Sequence, residues 1–158
     1  MSRIHAGFAG GIGLPKIPIS HFRNPISFLA GGMVNVPVTS KIGFQVDGYA
    51  LTTVSLGTVN KSDGKLSFNL VWGSANLAYQ IRGYMGSHSA VLAGLGLYHL
   101  KQQFDNRKDT LDTLGLNIGL SQWMKMRKIG GFFEVRWHLL FKPSDSPQVL
   151  TLTYGLFL

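Results

Sequence analysis

What most constrains this chain is a two-residue alternation that recurs, one strand-length segment after another, along its whole length. Side chains alternate across a β-strand but wind around a helix, so a sustained period of two selects strand. Between Ile4 and Leu14, one face reads Ile4, Ala6, Phe8, Gly10, Ile12, Leu14 and the other His5, Gly7, Ala9, Gly11, Gly13. From Ile26, Phe28, Ala30, Val34 and Val36 oppose Ser27, Gly31 and Asn35, which share their face with Leu29 and Met33. From Ile42 to about Leu56, Ile42, Phe44, Val46, Ala50, Val54 and Leu56 oppose Gln45, Asp47, Tyr49, Thr53 and Ser55. The same grammar governs Val91 to Lys101, Leu111 to Gln122, Phe133 to Phe141 and Leu150 to Leu158.

One segment breaks the pattern. Leu66, Phe68, Leu70 and Trp72 share one parity, whereas Leu77, Tyr79 and Ile81 share the other. A slip of one residue reverses every side chain, so the segment is either a hairpin turning at 73–76 or one strand with a bulge there. The bulged strand is preferred. It gives eight strands, an even number that leaves both termini at one end, as a single-chain membrane barrel requires. The Pro-bearing stretch Pro15–Pro25 and the charged stretch Gln102–Thr110 then serve as loops at one end. The other end has short turns, with Lys125, Arg127 and Lys128 in one of them. The whole chain, 1–158, reads as a single domain: an all-β, eight-stranded antiparallel up-and-down transmembrane barrel.

Composition decides which face points outward. Only 14% of residues are charged, against roughly 25% in soluble domains, and 20 residues are Gly. With the bulky faces inside, the water-facing surface would be Gly, Ser and Asn with almost no Lys or Glu, a poor soluble surface. Inverted, the small residues fit a narrow lumen and the bulky ones meet acyl chains. The alternative is a lipocalin-like soluble barrel, its bulky residues turned inward around a hydrophobic ligand. Cysteine is absent, which excludes disulfides, thiol nucleophiles and thiolate metal sites. No secretory signal opens the sequence, so an export leader would have to be missing from it.

At the level of motifs the chain resembles the small eight-stranded bacterial outer-membrane barrels of the OmpA/OmpX type. Ala90–Tyr98 is similar to the Gly-x-Gly-x-Tyr strand of that group, Leu114–Leu120 to its Gly-x-Asn-x-Gly strand, and Phe133–His138 to its Glu-x-Arg-x-His strand. Leu150–Leu158 resembles the C-terminal signal read by the barrel-assembly machinery, but ends on Leu158 with Phe157 penultimate, where that group ends on Phe. The resemblance implies a monomer in the bacterial outer membrane, with a structural, adhesive or loop-display role.

Asp47, Arg82, Glu134, Arg136 and His138 form the candidate site, a lumen charge network packing the interior rather than lining an open pore. The net charge of +8 implies an anionic partner, and Lys16, Arg23, Arg107 and Lys108 are candidate lipopolysaccharide contacts. A nucleic-acid role is not expected, because the bases do not interleave with exposed aromatics. Some barrels of this size modify lipid A with a lipid-facing His, a Ser and an acid. Here Leu140 stands two residues after His138, where that pattern has Ser, so no catalytic residues are assigned and no enzyme is expected. The dispersed histidines have no metal-ligand spacing, and no metal or cofactor is expected.

Overall fold

The computed structural model describes residues 4–16, 26–53, 66–81, 87–104, 107–126, 129–142 and 146–157. Its strands are β1 (His5–Lys16), β2 (Ser27–Pro37), β3 (Ile42–Thr53), β4 (Leu66–Ile81), β5 (Ser87–Phe104), β6 (Arg107–Met126), β7 (Ile129–Leu140) and β8 (Gln148–Phe157). Each pairs antiparallel with its neighbours in sequence, and β1 closes on β8, so the sheet is an eight-stranded barrel. Both termini lie at one end, here the terminal end. At the opposite rim β1, β3, β5 and β7 end and β2, β4, β6 and β8 begin.

The bulky faces point outward. Phe8 is 79% exposed, Leu97 69% and Leu120 62%, while Leu116, Ile118, Val46 and Leu156 join the same outer band. The lipocalin-like arrangement required these side chains inside, and the wall is built the other way round. The terminal strand follows suit: Leu150, Tyr154 and Leu156 face outward, whereas Phe157 turns inward onto Trp123, ring centroids 4.7 Å apart. The penultimate aromatic is therefore a lumen residue.

The structure corrects the reading of residues 66–82. β4 is one uninterrupted strand, but it has no bulge: its register to β3 and to β5 runs without a skip through Gly73, Ser74, Ala75 and Asn76. The apolar parity changes because the environment on each side of the wall changes. Near the rim, Phe68, Leu70 and Trp72 point inward and are buried; farther down, Leu77, Tyr79 and Ile81 point outward while Ser74, Asn76 and Ala78 fill the interior.

The charged stretch 102–110 also differs from expectation. It is mostly strand: Gln102 pairs with Asp109, Gln103 with Lys108 and Phe104 with Arg107, so a ribbon of β4, β5 and β6 stands above the wall. Alternating polar residues satisfy strand geometry as well as apolar ones do once both faces are wet. At the other end β6 continues through Lys125 to Met126, again longer than its apolar pattern. Val54 and Leu56, and with them Arg127 and Lys128, lie outside the described residues.

Inside, several glycines are demanded by space. A Cβ on Gly13 would collide with the Leu51 side chain, and one on Gly155 with the Phe132 ring and the Phe8 carbonyl. The lumen of so small a barrel has no room for a side chain at every inward position. If the outer band is the lipid-facing surface, Leu116→Arg lowers folding stability in vesicles by about 2–4 kcal/mol. Urea titration of the folded, heat-modifiable gel band measures it; a change under 1 kcal/mol would place Leu116 outside the bilayer.

Candidate functional site: a charge network buried in the lumen

Three strands supply the centre of the lumen at alternate positions: Gln45 and Asp47 from β3, Ser74 and Asn76 from β4, Glu134, Arg136 and His138 from β7. Alternation aims every second side chain inward, and all seven are buried. The Arg136 guanidinium is the hub. Its Nη1 donates to Asp47 Oδ2 at 2.7 Å and to Ser74 Oγ at 3.1 Å. Its Nη2 lies 2.7 Å from Glu134 Oε1, an ion pair made without hydrogen-bond alignment. Asp47 is held further by Ser74 Oγ at 2.5 Å and Asn76 Nδ2 at 2.9 Å. The Gln45 amide spans the two acids, donating to Asp47 Oδ2 and Glu134 Oε2 at 3.3 Å each.

His138 sits beside this cluster rather than in it. The Thr151 hydroxyl donates to the Arg136 carbonyl at 3.2 Å, which leaves His138 Nε2 to donate to Thr151 Oγ1 at 3.2 Å. His138 Nδ1 then accepts from Tyr98 Oη at 2.9 Å. Trp72 packs edge-on to the imidazole at 5.1 Å and stacks on Tyr98 at 6.3 Å. With both ring nitrogens engaged inside the barrel and 1% of its surface exposed, His138 cannot be the lipid-facing histidine of a lipid-modifying site.

Apolar side chains lie on either side of the polar centre. Toward the rim, Leu29, Leu51, Phe68, Leu70, Leu100, Leu140 and Val149 form one buried cluster. Toward the terminal end, Phe132 stacks on Trp123 at 5.6 Å, and His5 packs against Phe157 at 5.1 Å. The charges are thus held between two apolar plugs. Such an arrangement is suited to bracing a wall: buried charges persist only when paired, and here each carboxylate meets the guanidinium. Among the described residues no three His, Asp or Glu side chains assemble as a metal site.

Of the residues expected in the network, Asp47, Glu134 and Arg136 come together, His138 joins through Tyr98 and Thr151, and Arg82 lies outside the described residues. Gln45, Ser74, Asn76, Tyr98 and Thr151 were missed as members. Gln45, Tyr98 and Thr151 stood on the correct face and only lacked a charge to draw attention. Ser74 and Asn76 were concealed by the supposed bulge. Among the candidate lipid contacts, Lys16 and Lys108 are exposed at the rim; Arg23 and the Arg107 side chain lie outside the described residues.

No family model and no curated protein matches this sequence. Solved structures do match in shape. Neisserial surface protein A superposes with a TM-score of 0.76 at 11% identity, covering 98% of this chain and 96% of that one. Ail, the attachment invasion locus protein of Yersinia pestis, gives 0.60 at 11% identity, with 98% of each chain covered. The N-terminal barrel of Pseudomonas aeruginosa OprF gives 0.56 at 13%, with 97% of each covered. The fold is that of the small outer-membrane barrels. It spans the full length of these structures, and at such identities the likeness is one of fold.

If Arg136 is the hub, Arg136→Met strands two carboxylates and costs about 3–5 kcal/mol. The triple variant Asp47→Asn, Glu134→Gln, Arg136→Met removes the stranded charges and regains at least half of that. Urea midpoints of the refolded barrels in detergent decide it: equal losses for single and triple variants would mean that no coupled network exists.

Proposed function

We propose that this protein is a non-catalytic barrel of the bacterial outer membrane whose working part is its rim, presented to the exterior for structural or adhesive contacts, with a lumen that does not conduct. The observation that carries this reading is the β4–β5–β6 ribbon. Pairing of β6 with β7 begins only at Gly115 with Leu140, extended by one bond from Phe141 N to Leu114 O at 2.9 Å. Backbone groups of alternate residues point to the same side, so Lys108, Thr110 and Asp112 turn their N–H and C=O away from β5. Among the described residues no strand covers them. An exposed, charged edge of this kind resists self-association yet can accept a strand from a partner.

The packed lumen supports the same reading from the other direction. A passage would have to cross two apolar plugs and a buried ion-pair cluster. The likeness to Ail favours attachment in particular: that protein is described as the attachment invasion locus protein and has been seen with the heparin analogue sucrose octasulfate. In this chain the exposed Lys16, Lys101 and Lys108 would offer cations to an acidic or sulfated partner or to lipopolysaccharide. Biogenesis would run through the barrel-assembly machinery, which would read Leu150 to Leu158, and the folded protein would act as a monomer.

Trimming the ribbon tests the assignment. Replacing residues 103–108 by a two-residue turn leaves the heat-modified gel band and its midpoint within a few degrees of the parent. Cell or heparin binding conferred by the parent on an expressing strain falls to background. Retained binding after trimming, or stepwise conductance in planar bilayers by the parent, would move the function from rim to lumen.

A further inference from the structure

We propose that the outer wall at β4–β6 is a binding groove for the acyl chains of an anionic, phosphate-bearing membrane lipid, whose headgroup is held by Lys101 and Lys108. This deepens the outer-membrane reading and rests on it. The groove has a volume of about 820 Å³, within the span of roughly 300–1,000 Å³ typical of small-molecule sites. Its lining is mostly apolar, with Val71 and Gly73 of β4, Leu97 of β5, Leu114 of β6 and Phe141 beyond β7, and it is bordered by His99, Asp112 and Thr113. Phe141 is a fixed wall, because its N–H bonds Leu114 O at 2.9 Å and its carbonyl accepts from the Thr113 hydroxyl.

Gly73 makes the groove, and the barrel does not need a glycine there. A Cβ at Gly73 would meet only the Asp47 carbonyl oxygen, at 3.7 Å, an ordinary contact. The inward Gly13 and Gly155 are excluded from bearing a side chain; the outward Gly73 is not. Leu97 and Val71 stand beside it, while Gly48 across the strand pair and Ala75 two residues on are also small, so the gap at Gly73 continues sideways and down the wall.

Cross-strand rows show what would fill it. The lowest row runs Gly48, Gly73, Leu97, Leu114. The next is Ala50, Val71, His99, Asp112, in which His99 Nδ1 meets Asp112 Oδ1 at 2.5 Å. Above it stand Thr52, Asn69, Lys101 and Thr110, and higher still Lys108 opposite Gln103. Successive rows lie about 7 Å apart. Over three such steps the wall changes from fully apolar to cationic, the gradient an amphiphile presents from chain to headgroup. Asp112 is occupied by His99. Lys101 and Lys108 are exposed and form no ion pair among the described residues, which leaves them for a phosphate.

The experiment uses the full chain in nanodiscs of phosphatidylcholine, with or without phosphatidic acid, followed by native mass spectrometry of lipid retained on the protein. Expected is retention of phosphatidic acid over phosphatidylcholine. Lys101→Ala with Lys108→Ala lowers that preference about tenfold or more. Gly73→Phe abolishes retention of either lipid while the heat-modified band stays unchanged. Retention indifferent to Gly73→Phe, equal retention of both lipids, or displacement of the lipid by inorganic phosphate alone would overturn the groove. A dimer in place of lipid, lost on Gly73→Phe, would assign the face to a second copy of the chain and overturn it too. Absence of a heat-modified band in the parent would count against the membrane reading itself, and is seen before any lipid is weighed.

Discussion

Everything in this molecule depends on the requirement that a backbone in hydrocarbon find all its hydrogen bonds within itself. Water is not there to take the N–H and C=O groups that an open sheet edge would expose, and each one left unpaired costs several kcal/mol. The seam between β1 and β8, from Gly7 with Phe157 to Lys16 with Gln148, meets that requirement. Closing the ladder with only eight strands has a second consequence, a narrow lumen. Inward positions must then be small at many sites, and inward glycines such as Gly11, Gly13, Gly31 and Gly155 follow from that geometry, whereas the outward Gly10, Gly48 and Gly73 do not.

The lumen solves a second problem with the same economy of space. An interior lined only by apolar side chains on both plugs and the centre would hold the wall by shape alone, with little to fix which strands face one another. A guanidinium that must reach Asp47 on β3 and Glu134 on its own strand ties opposite parts of the wall together across the barrel. Desolvating these groups is expensive, and the pairing does little more than offset that cost. What the network contributes is registration: one guanidinium is paired at once with Asp47 of β3 and Glu134 of β7, across the barrel from each other. The threonines of β8 extend it through Arg136 and Glu134 carbonyls to the closing seam.

Much of this was legible in the alternation of residues, and the failures have physical causes. Strand number, outward faces and the triad Asp47, Glu134, Arg136 follow from parity plus the high cost of an unpaired buried charge. The bulge inferred at 73–76 came from treating a parity change as a slip in register. Phe68 to Trp72 and Leu77 to Ile81 are both apolar for good reason, one set filling a plug inside and the other facing the outer band. Parity reads hydrophobicity relative to one environment, and a strand crossing from rim to bilayer passes through two. Likewise Gln102–Thr110 resembled a loop because charge was taken for irregularity. Neutral partners such as Ser74 and Asn76 carry no signal until a neighbouring strand supplies the charge that needs them.

The same constraint that closes the wall explains where function can reside. Within the apolar band every backbone group is committed to the ladder, and variation is confined to side chains facing lipid, as at Gly73. Above the rim water can take the free backbone groups, so strands can outlast their partners. β6 does so: it runs from Arg107, several residues before β7 joins at Gly115, and carries Lys108, Asp109 and Asp112 on that length. A β-strand with an open edge is unstable in lipid and hazardous when apolar in water. Charged and held against β5 on one side only, it is permitted above the apolar band, where water can take its free backbone groups. The wall and lumen hold the buried contacts and the closed ladder, and the β4–β6 ribbon above them adds little to either.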